Sequence, residues 1–178
     1  IIIPAYNEEA SIGKIVSEAL TYGRIIVVDD GSLDNTGLVA VKNGAIVVRH
    51  EKNHGYDSAL NSGFVKASEL GFDVVITMDA DGQHKPELIS EFIAWLEKGY
   101  DVVIGIRSRK ERLAERIFAW YTKVRYGIED PLCGMKAYSM KVYDKLGYFD
   151  SFNSTGTELV VFARKEGFMI FQFPFPIN

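Results

Sequence analysis

The segment "VVITMDADGQH", Val74–His84, joins a run of apolar, mostly β-branched residues to two aspartates one residue apart. Such a run is typical of a strand that is buried on both faces, as in a parallel sheet covered by helices. The aspartates, Asp79 and Asp81, follow where the strand leaves the core. Two carboxylates this close repel each other, and at least one tends to stay protonated unless a cation compensates. The segment therefore predicts a buried strand with a charged site at its end.

Similar strand-like runs lie on either side of this segment, and segments with helical spacing of apolar residues alternate with them. Strands are predicted at residues 1–3, 24–32, 45–50, 73–79 and 101–106 and at the C-terminal end. Helices are predicted around residues 11–21, 38–41, 59–67, 86–96, 107–125, 140–146 and 157–165. This alternation predicts an α/β fold: an open, mostly parallel, twisted sheet of the Rossmann-like kind, with helices on both faces.

The last third of the chain differs from the rest in its charge. Residues 107–125 are rich in arginine and lysine, and their apolar residues recur at the spacing of an amphipathic helix. No low-complexity linker separates this part from the preceding one. We therefore expect a single domain over residues 1–178, in which residues 1–106 or so bind a ligand at the strand ends and residues from about 107 to 178 complete the site.

Composition narrows the class of protein. A chain of 178 residues is long enough for one sizeable domain, and its net charge of −4 argues against non-specific nucleic-acid binding. The single cysteine, Cys133, excludes an internal disulfide and is expected to be structural. No apolar run reaches the roughly 18 residues that span a bilayer, and no signal peptide is visible. Both ends begin or stop inside strand-like runs, so we expect a chain trimmed at both termini.

A second pair of aspartates, Asp29 and Asp30, ends the predicted strand at residues 24–32. In open α/β sheets, ligands bind outside the carboxyl ends of the strands, so both pairs are expected at one edge. Carboxylate oxygens suit Mg²⁺ or Mn²⁺, which usually completes its shell with water and substrate phosphates. Helix capping and solvated turns are the alternative explanation. The sequence has neither a P-loop nor a G-x-G-x-x-G after its first strand.

Four motifs in succession, "IIIPAYNEEASI", "IIVVDDGSLDNT", "NHGYDSALNSGF" and "MDADGQH", resemble those of the family-2 glycosyltransferases, which are inverting enzymes with the GT-A fold. The resemblance covers the chain nearly end to end, with the motifs in family order. The segments "DPLCGMKAY" and "TELVVFARKEGFMIFQFPFPI" are similar to the polyprenyl-phosphate branch of that family, the dolichyl-phosphate mannose and glucose synthases.

The resemblance implies a nucleotide-sugar site and a metal site at the strand ends. The residues it assigns to the nucleotide sugar are Pro4, Ala5, Tyr6, Glu8, Ala59, Asn61, Asp79 and Ala80, together with Asp29 or Asp30 as acceptor of a base N–H. The residues it assigns to Mg²⁺ or Mn²⁺ are Asp79, Asp81 and Gln83. Tyr56 and Asp57 stand where the family often has a basic residue, so a diphosphate contact from that loop does not carry over.

The implied reaction moves a hexose from a GDP- or UDP-sugar to a polyprenyl phosphate, such as dolichyl or undecaprenyl phosphate, by a single displacement. The residues assigned to catalysis are Asp81, Arg107, Arg109 and Asp130. The arginines would stabilise the leaving diphosphate or bind the acceptor phosphate. The family's usual catalytic aspartate is absent, because Gly156 occupies its position. A phosphate acceptor is already ionised and needs no base, although Asp130 or Glu158 could serve as one.

Other functions stay open at this point. A related enzyme that transfers sugar to a saccharide hydroxyl would require a base. A receiver-like signalling domain would need an aspartate after the third strand and a lysine after the fifth, and the chain has neither. A nucleotidyltransferase would want a glycine-rich first loop. The mixture of basic and aromatic residues at 107–126 favours an anionic membrane surface, so we expect a cytoplasmic enzyme that is peripheral at the membrane.

Overall fold

A computed structural model describes residues 1–80, 86–107 and 113–175 of the chain. Within these ranges the strands are β1 (Ile2–Ala5), β2 (Ile26–Asp29), β3 (Ile46–Arg49), β4 (Val74–Thr77), β5 (Val102–Arg107), β6 (Lys136–Ser139) and β7 (Ile170–Phe175). The α-helices are α1 (Glu9–Ala19), α2 (Thr36–Lys42), α3 (Tyr56–Glu69), α4 (Ile89–Glu97), α5 (Leu113–Tyr126), α6 (Met140–Leu146) and α7 (Thr157–Lys165). A 3-10 turn at Pro86–Leu88 leads into α4.

The strands form one sheet in the order β3-β2-β1-β4-β6-β5-β7. Strand β6 runs antiparallel to both β4 and β5, and the other neighbouring strands are parallel. The predicted open, mostly parallel α/β sheet is therefore confirmed. Strand β6 was not predicted, because it has four residues and opens with Lys136, so it lacks the apolar run of the other strands.

Helices cover both faces of the sheet. Alternate side chains of a strand point to opposite faces, so Ile3 and Ile2 of β1 enter different hydrophobic clusters. The first cluster lies under α1, α2 and α4, and its fully buried members include Ile12, Val27, Ala40, Phe92 and Val103. The second lies under α3, α6 and α7, and its fully buried members include Phe64, Val102, Val142, Leu159 and Val160. Because both faces are packed, ligands must approach at an edge of the sheet.

The carboxyl edge of the sheet is where the parallel strands end and β6 begins. Helix α3 starts at this edge and packs closely on β1, because it carries Gly63 against the sheet. A Cβ at residue 63 would lie 2.4 Å from Cγ2 of Ile2. The close packing places the first residue of α3, Tyr56, beside the end of β4, where it contacts Asp79.

Candidate functional site

The loops that follow β1 and β2 are hydrogen-bonded into one unit. The backbone N–H of Asn7 donates to Oγ of Ser32 (3.0 Å), and the N–H of Leu33 donates to Oδ1 of Asn7 (2.8 Å). The N–H of Glu8 donates to Oγ1 of Thr36 (2.8 Å). Asn7 adopts a left-handed backbone conformation (φ 57°), which asparagine tolerates better than most residues. These reciprocal bonds give the carboxyl edge a fixed wall at the β1 and β2 end.

Of the first-loop residues that the resemblance assigns to the nucleotide sugar, Tyr6 is the one whose side chain is exposed. Pro4 and Ala5 are buried at the end of β1, and Tyr6 is 44 % exposed just beyond it. Glu8 accepts a hydrogen bond from Oγ of Ser11 within the first turn of α1 (2.5 Å). The structure thus brings these four residues together at the edge, with Tyr6 facing outward and Glu8 supporting the start of the helix.

Asp29 is completely buried at the end of β2. Its Oδ1 accepts a hydrogen bond from the N–H of Ser32 (3.0 Å), and Nη1 of Arg49 lies 3.5 Å from Oδ2. Oδ2 accepts no hydrogen bond from the described residues and lies against the first turn of α2, where a Cβ at Gly37 would approach it to 2.5 Å. The carboxylate therefore supports the turn after β2 and faces the positive end of a helix dipole.

Asp30 holds the segment between β3 and α3. Its Oδ1 lies 2.6 Å from Nδ1 of His50 and accepts a hydrogen bond from the N–H of His54 (2.9 Å). Its Oδ2 accepts one from the N–H of Gly55 (2.8 Å). His50 is fixed in turn through Nε2, which lies 2.8 Å from Oγ of Ser62. Both aspartates of this pair thus organise neighbouring loops, and the choice between them as base acceptor stays a prediction.

Asp79 lies at the carboxyl end of β4 and is half-buried. The phenol of Tyr56 donates a hydrogen bond to its Oδ1 (2.6 Å). On another side the carboxylate packs against Gly134, where a Cβ would lie 2.3 Å from Oδ2. The neighbouring Ala80 is buried, at 5 % exposure. The predicted metal ligands Asp81 and Gln83 lie outside the described residues.

The residues of the motif "NHGYDSALNSGF" that lie on α3 contribute mainly to packing. Ala59 is completely buried in the cluster beneath α3. The side-chain amide of Asn61 accepts a hydrogen bond from the N–H of Phe149 (2.9 Å) and donates one to the carbonyl of Asp150 (2.7 Å). Asp57 is buried too, and burial, with the nearby charge of Asp150, raises its pKa. These contacts assign structural roles, and nucleotide contact by Ala59 and Asn61 stays a prediction that the geometry does not favour.

Arg107 and Asp130, both assigned to catalysis, are paired with each other. Arg107 donates from Nε to Oδ2 (2.9 Å), from Nη2 to Oδ1 (2.9 Å) and from its backbone N–H to Oδ2 (3.0 Å) of Asp130. Nη2 also lies 3.5 Å from Oε2 of Glu115 on α5. The hydrogen bonds to Asp130 raise the pKa of Arg107, so the guanidinium stays charged. Arg109 lies outside the described residues.

Two buried polar side chains, Lys136 and Cys133, lie near this pair. The sequence analysis did not single out Lys136, and it assigned Cys133 a structural role. Lys136 is completely buried, and its Nζ donates to the carbonyls of Cys133 and Thr155 (2.6 Å each). Burial lowers the pKa of Lys136 to about 8 and raises that of the Cys133 thiol to about 12. The buried thiol therefore stays protonated near neutral pH, which fits the structural role expected for Cys133. The burial of Lys136 could not be predicted from the segment "GMKAY", because it depends on strand β6, which was not predicted either.

The alternative bases are also engaged. Gly156, at the position expected for the family's aspartate, precedes α7 in a left-handed conformation (φ 70°). Glu158 accepts hydrogen bonds from the phenol of Tyr148 (2.7 Å) and from the N–H and Oγ of Ser151 (2.8 Å each). Asp130 is held by Arg107. Both carboxylates are therefore held by hydrogen bonds from other residues, and a role for either as base stays a prediction.

Helix α5 exposes one apolar face. Large apolar side chains on this face, which we call the α5 face, are at least half exposed: Leu113, Ile117, Trp120, Tyr121 and Val124. Their spacing places them on one side of the helix. Three exposed basic residues accompany them: Arg116, Lys123 and Arg125. In the described ranges, none of the helices combines the length and apolarity needed to cross a bilayer.

The model of the family described as "Glycosyl transferase family 2" matches residues 1–147. The chain belongs to glycosyl transferase family 2. It is therefore a glycosyltransferase, and its sheet is the GT-A fold that the resemblance implied.

Relatives of this glycosyltransferase include proteins that act on lipid phosphates. It is 34 % identical to the uncharacterized protein MJ1222 of Methanocaldococcus jannaschii, over 98 % of this chain and 79 % of the relative. It is 32 % identical to the UDP-N-acetylglucosamine–dolichyl-phosphate N-acetylglucosaminyltransferase of Methanococcus voltae, over 98 % and 83 %. It is also 32 % identical to the undecaprenyl-phosphate 4-deoxy-4-formamido-L-arabinose transferase of Proteus mirabilis, over 82 % of this chain and half of that protein.

The glycosyltransferase shares its fold with solved structures. The glucosyl-3-phosphoglycerate synthase of Mycobacterium tuberculosis, in a complex with Mn²⁺, UDP and glucosyl-3-phosphoglycerate, superposes with a TM-score of 0.81 at 22 % identity, over 99 % of this chain and 69 % of that one. A second complex of the same enzyme contains Mg²⁺ and UDP. At this identity the likeness shows the GT-A fold alone.

In the described part of the glycosyltransferase, the feature that fits a divalent cation is a single carboxylate, that of Asp79. No group of three or more histidine, cysteine, aspartate or glutamate side chains in that part is arranged to hold a metal. Mg²⁺ needs only one or two carboxylates when phosphates and water complete its shell. Asp79 offers such a carboxylate at the carboxyl edge. Residue 134 must be a glycine for the carboxylate to lie there, because a Cβ at that residue would overlap it.

Proposed function

We propose that this glycosyltransferase moves a hexose from a nucleotide sugar to a polyprenyl phosphate at a membrane surface. The observation that carries the proposal is the carboxylate of Asp79, fixed at the carboxyl end of β4 in a family-2 chain whose relatives are named as dolichyl- and undecaprenyl-phosphate transferases. Residues 1–106 would bind the donor, and residues 107–178 would bind the acceptor.

The donor would lie along the carboxyl edge, from the first loop to the end of β4. Tyr6 would contact the base or ribose, since its ring is exposed beside the fixed loops after β1 and β2. Asp29 or Asp30 would accept an N–H of the base, since both lie at the end of β2 beside the first loop. Asp79, together with Asp81 and Gln83, would face the diphosphate and its cation.

The reaction would be one displacement at the anomeric carbon. An oxygen of the acceptor phosphate attacks that carbon, the bond from it to the donor diphosphate breaks, and configuration inverts. When bound, Mg²⁺ or Mn²⁺ supplies positive charge that stabilises the departing diphosphate. No proton needs to leave the nucleophile, because a phosphate monoester is largely ionised near neutral pH. Gly156 at the position of the family's usual catalytic aspartate therefore favours a phosphate acceptor over a hydroxyl.

Arg107 would stabilise phosphate charge from a fixed position. Its two side-chain bonds to Asp130 hold the guanidinium plane, and one-fifth of its side chain remains exposed. A preorganised cation costs little reorganisation when charge develops, which makes its stabilisation more effective. Asp130 thus positions Arg107, and the two predicted catalytic residues act as one unit. Arg109 stays a second predicted source of positive charge for the same task.

The α5 face would bring the enzyme to its lipid substrate. A helix with exposed apolar residues on one side and basic residues around them binds an anionic bilayer by burying the former and neutralising the latter. The chain carries a net negative charge, whereas α5 carries three basic residues against one acidic residue, Glu115. We propose that the enzyme is cytoplasmic and peripheral at the cytoplasmic face of a membrane.

A transfer assay tests the function. UDP- and GDP-hexoses are supplied with Mn²⁺ or Mg²⁺ and either a short polyprenyl phosphate or a saccharide acceptor, and product is measured for the wild type, Asp79→Asn and Asp81→Asn. We expect metal-dependent transfer to the lipid phosphate and its loss in both variants. Equal transfer to the saccharide with lipid absent would contradict the acceptor, and full metal-dependent activity in Asp81→Asn would contradict the role of that residue.

Vesicle binding tests the membrane contact separately. Trp120→Glu and Val124→Glu place a charge on the α5 face, whereas Leu38→Glu does so on α2, where the leucine is 67 % exposed. We expect the first two variants to lose flotation with anionic vesicles and the third to keep it. If all three float like the wild type, the α5 face does not contact the membrane.

A further inference from the structure

Tyr56 begins α3 and reaches across the carboxyl edge to Asp79. Its hydroxyl oxygen lies 2.6 Å from Oδ1 of that carboxylate, within the range of a charge-assisted O–H···O⁻ bond. The start of the helix is itself fixed, because Gly55 donates its N–H to Asp30 and has the left-handed conformation (φ 90°) that the turn requires. The phenol therefore approaches Asp79 from a rigid base on the β2 side of the site.

We propose that Tyr56 is a positioning residue of the transferase, which orients the carboxylate of Asp79 toward the donor diphosphate and its divalent cation. This inference rests on the proposed function, because the contact between Tyr56 and Asp79 has this role only if Asp79 faces the donor diphosphate and its cation. Tyr56 itself touches neither the reacting atoms nor the metal in this assignment.

The opposite side of Asp79 is limited by the β6 side of the sheet. Gly134 lies so close that a side chain there would overlap the carboxylate. The carbonyl of Gly134 accepts a hydrogen bond from Oγ1 of Thr77 (2.6 Å), and the same Oγ1 accepts one from the N–H of Lys136 (3.2 Å). The backbone behind Asp79 is therefore tied to β4, and the carboxylate is held between it and the Tyr56 phenol.

A phenol suits this task better than a basic side chain would. The hydroxyl donates a hydrogen bond without adding a positive charge, so it orients Asp79 and leaves its negative charge for the cation. A phenolic hydroxyl is a hydrogen-bond donor at neutral pH. A lysine or arginine at residue 56 would pair with Asp79 and compete with the metal for its charge.

The experiment measures binding of Mn²⁺ with UDP or GDP, by the electron paramagnetic resonance signal of free Mn²⁺, in four proteins: wild type, Tyr56→Phe, Asp79→Asn and the double variant. Residues that orient a metal ligand typically change metal affinity by about 10- to 100-fold when they are altered. We expect a loss of this size in Tyr56→Phe and no additional loss when Tyr56→Phe is added to Asp79→Asn. Tyr100→Phe, in an aromatic cluster with Trp95 and Phe171, is the matched control and should bind like the wild type.

A Tyr56→Phe protein that melts cooperatively and binds Mn²⁺ and nucleotide like the wild type would overturn the inference. So would an equal loss in the Asp79→Asn background, because Tyr56 would then act independently of that carboxylate. If Tyr56→Phe does not fold, Gly134→Ala displaces the same carboxylate from the other side, and unchanged binding in that variant would overturn the inference as well. A wild type that binds no Mn²⁺ with either nucleotide would refute the proposed function beneath it.

Discussion

Gly134→Ala is the substitution that tests the position of Asp79 most selectively. The new Cβ would lie 2.3 Å from Oδ2, 2.6 Å from Oδ1 and 2.7 Å from Cγ of Asp79. Ordinary van der Waals contact begins near 3.4 Å, so the carboxylate must retreat by about 1 Å. The backbone at residue 134 cannot yield easily, because its carbonyl is bonded to Thr77 on the neighbouring strand.

The expected magnitude follows from that displacement. A shift of 1 Å in a catalytic group lowers turnover by roughly 100-fold, which corresponds to about 3 kcal/mol in the activation barrier. The added methyl should also lower the free energy of unfolding by about 1–3 kcal/mol, the usual cost of overpacking. We therefore expect a folded protein with a reduced Tm, weakened Mn²⁺ binding and about 1 % of wild-type transfer.

The assay combines sugar transfer, Mn²⁺ binding and thermal unfolding on the same preparation. Gly23→Ala is the matched control, because a Cβ at residue 23 meets nothing within 4 Å. It should leave all three measurements unchanged. A Gly134→Ala protein with wild-type turnover and wild-type Mn²⁺ affinity would refute the reasoning, since the carboxylate would then function without its observed position.

Three further predictions concern the polar residues around the site. Lys136 has a pKa of about 8 in the folded protein against an ordinary value of 10.5, so the unfolded chain binds more protons between these values. The free energy of unfolding should therefore rise between pH 8 and pH 10.5, by up to about 3 kcal/mol more than it does in Lys136→Met. Urea unfolding of both proteins at the two pH values measures this difference, and an equal change in the two proteins would contradict it. Asp130→Asn should lower the free energy of unfolding by about 3 kcal/mol, because it leaves Arg107 without its carboxylate. A loss of less than about 0.5 kcal/mol in urea unfolding would argue against a structural pair. Cys133 should not react with a thiol reagent at pH 8 until the protein unfolds, because burial raises its pKa to about 12, and rapid labelling of the native protein would contradict the assignment.

The sheet was predictable because its parallel strands are continuous apolar runs. The same runs predicted the carboxyl edge, and with it the expectation that Asp29, Asp30 and Asp79 lie at one edge of the sheet. Strand β6 was not predictable in this way, since Lys136 opens it and its burial depends on carbonyls of Cys133 and Thr155, which only the fold supplies.

Pairings between distant residues also lay beyond the sequence. Arg107 and Asp130 were each assigned a separate task, and their mutual bonds require β5 and the segment before β6 to meet. The contact between Tyr56 and Asp79 joins residues 23 positions apart. The departure of Tyr56 from the family's basic residue was visible in the sequence, but its partner was not, because α3 must first pack closely on β1.

The central claim is that the end of β4 holds the donor diphosphate with a divalent cation. Crystals grown with Mn²⁺ and a UDP- or GDP-hexose, measured at the manganese absorption edge, locate the ion directly. The account predicts the manganese peak between the diphosphate and the Asp79 or Asp81 carboxylate. A peak and a nucleotide bound elsewhere on the chain would contradict it.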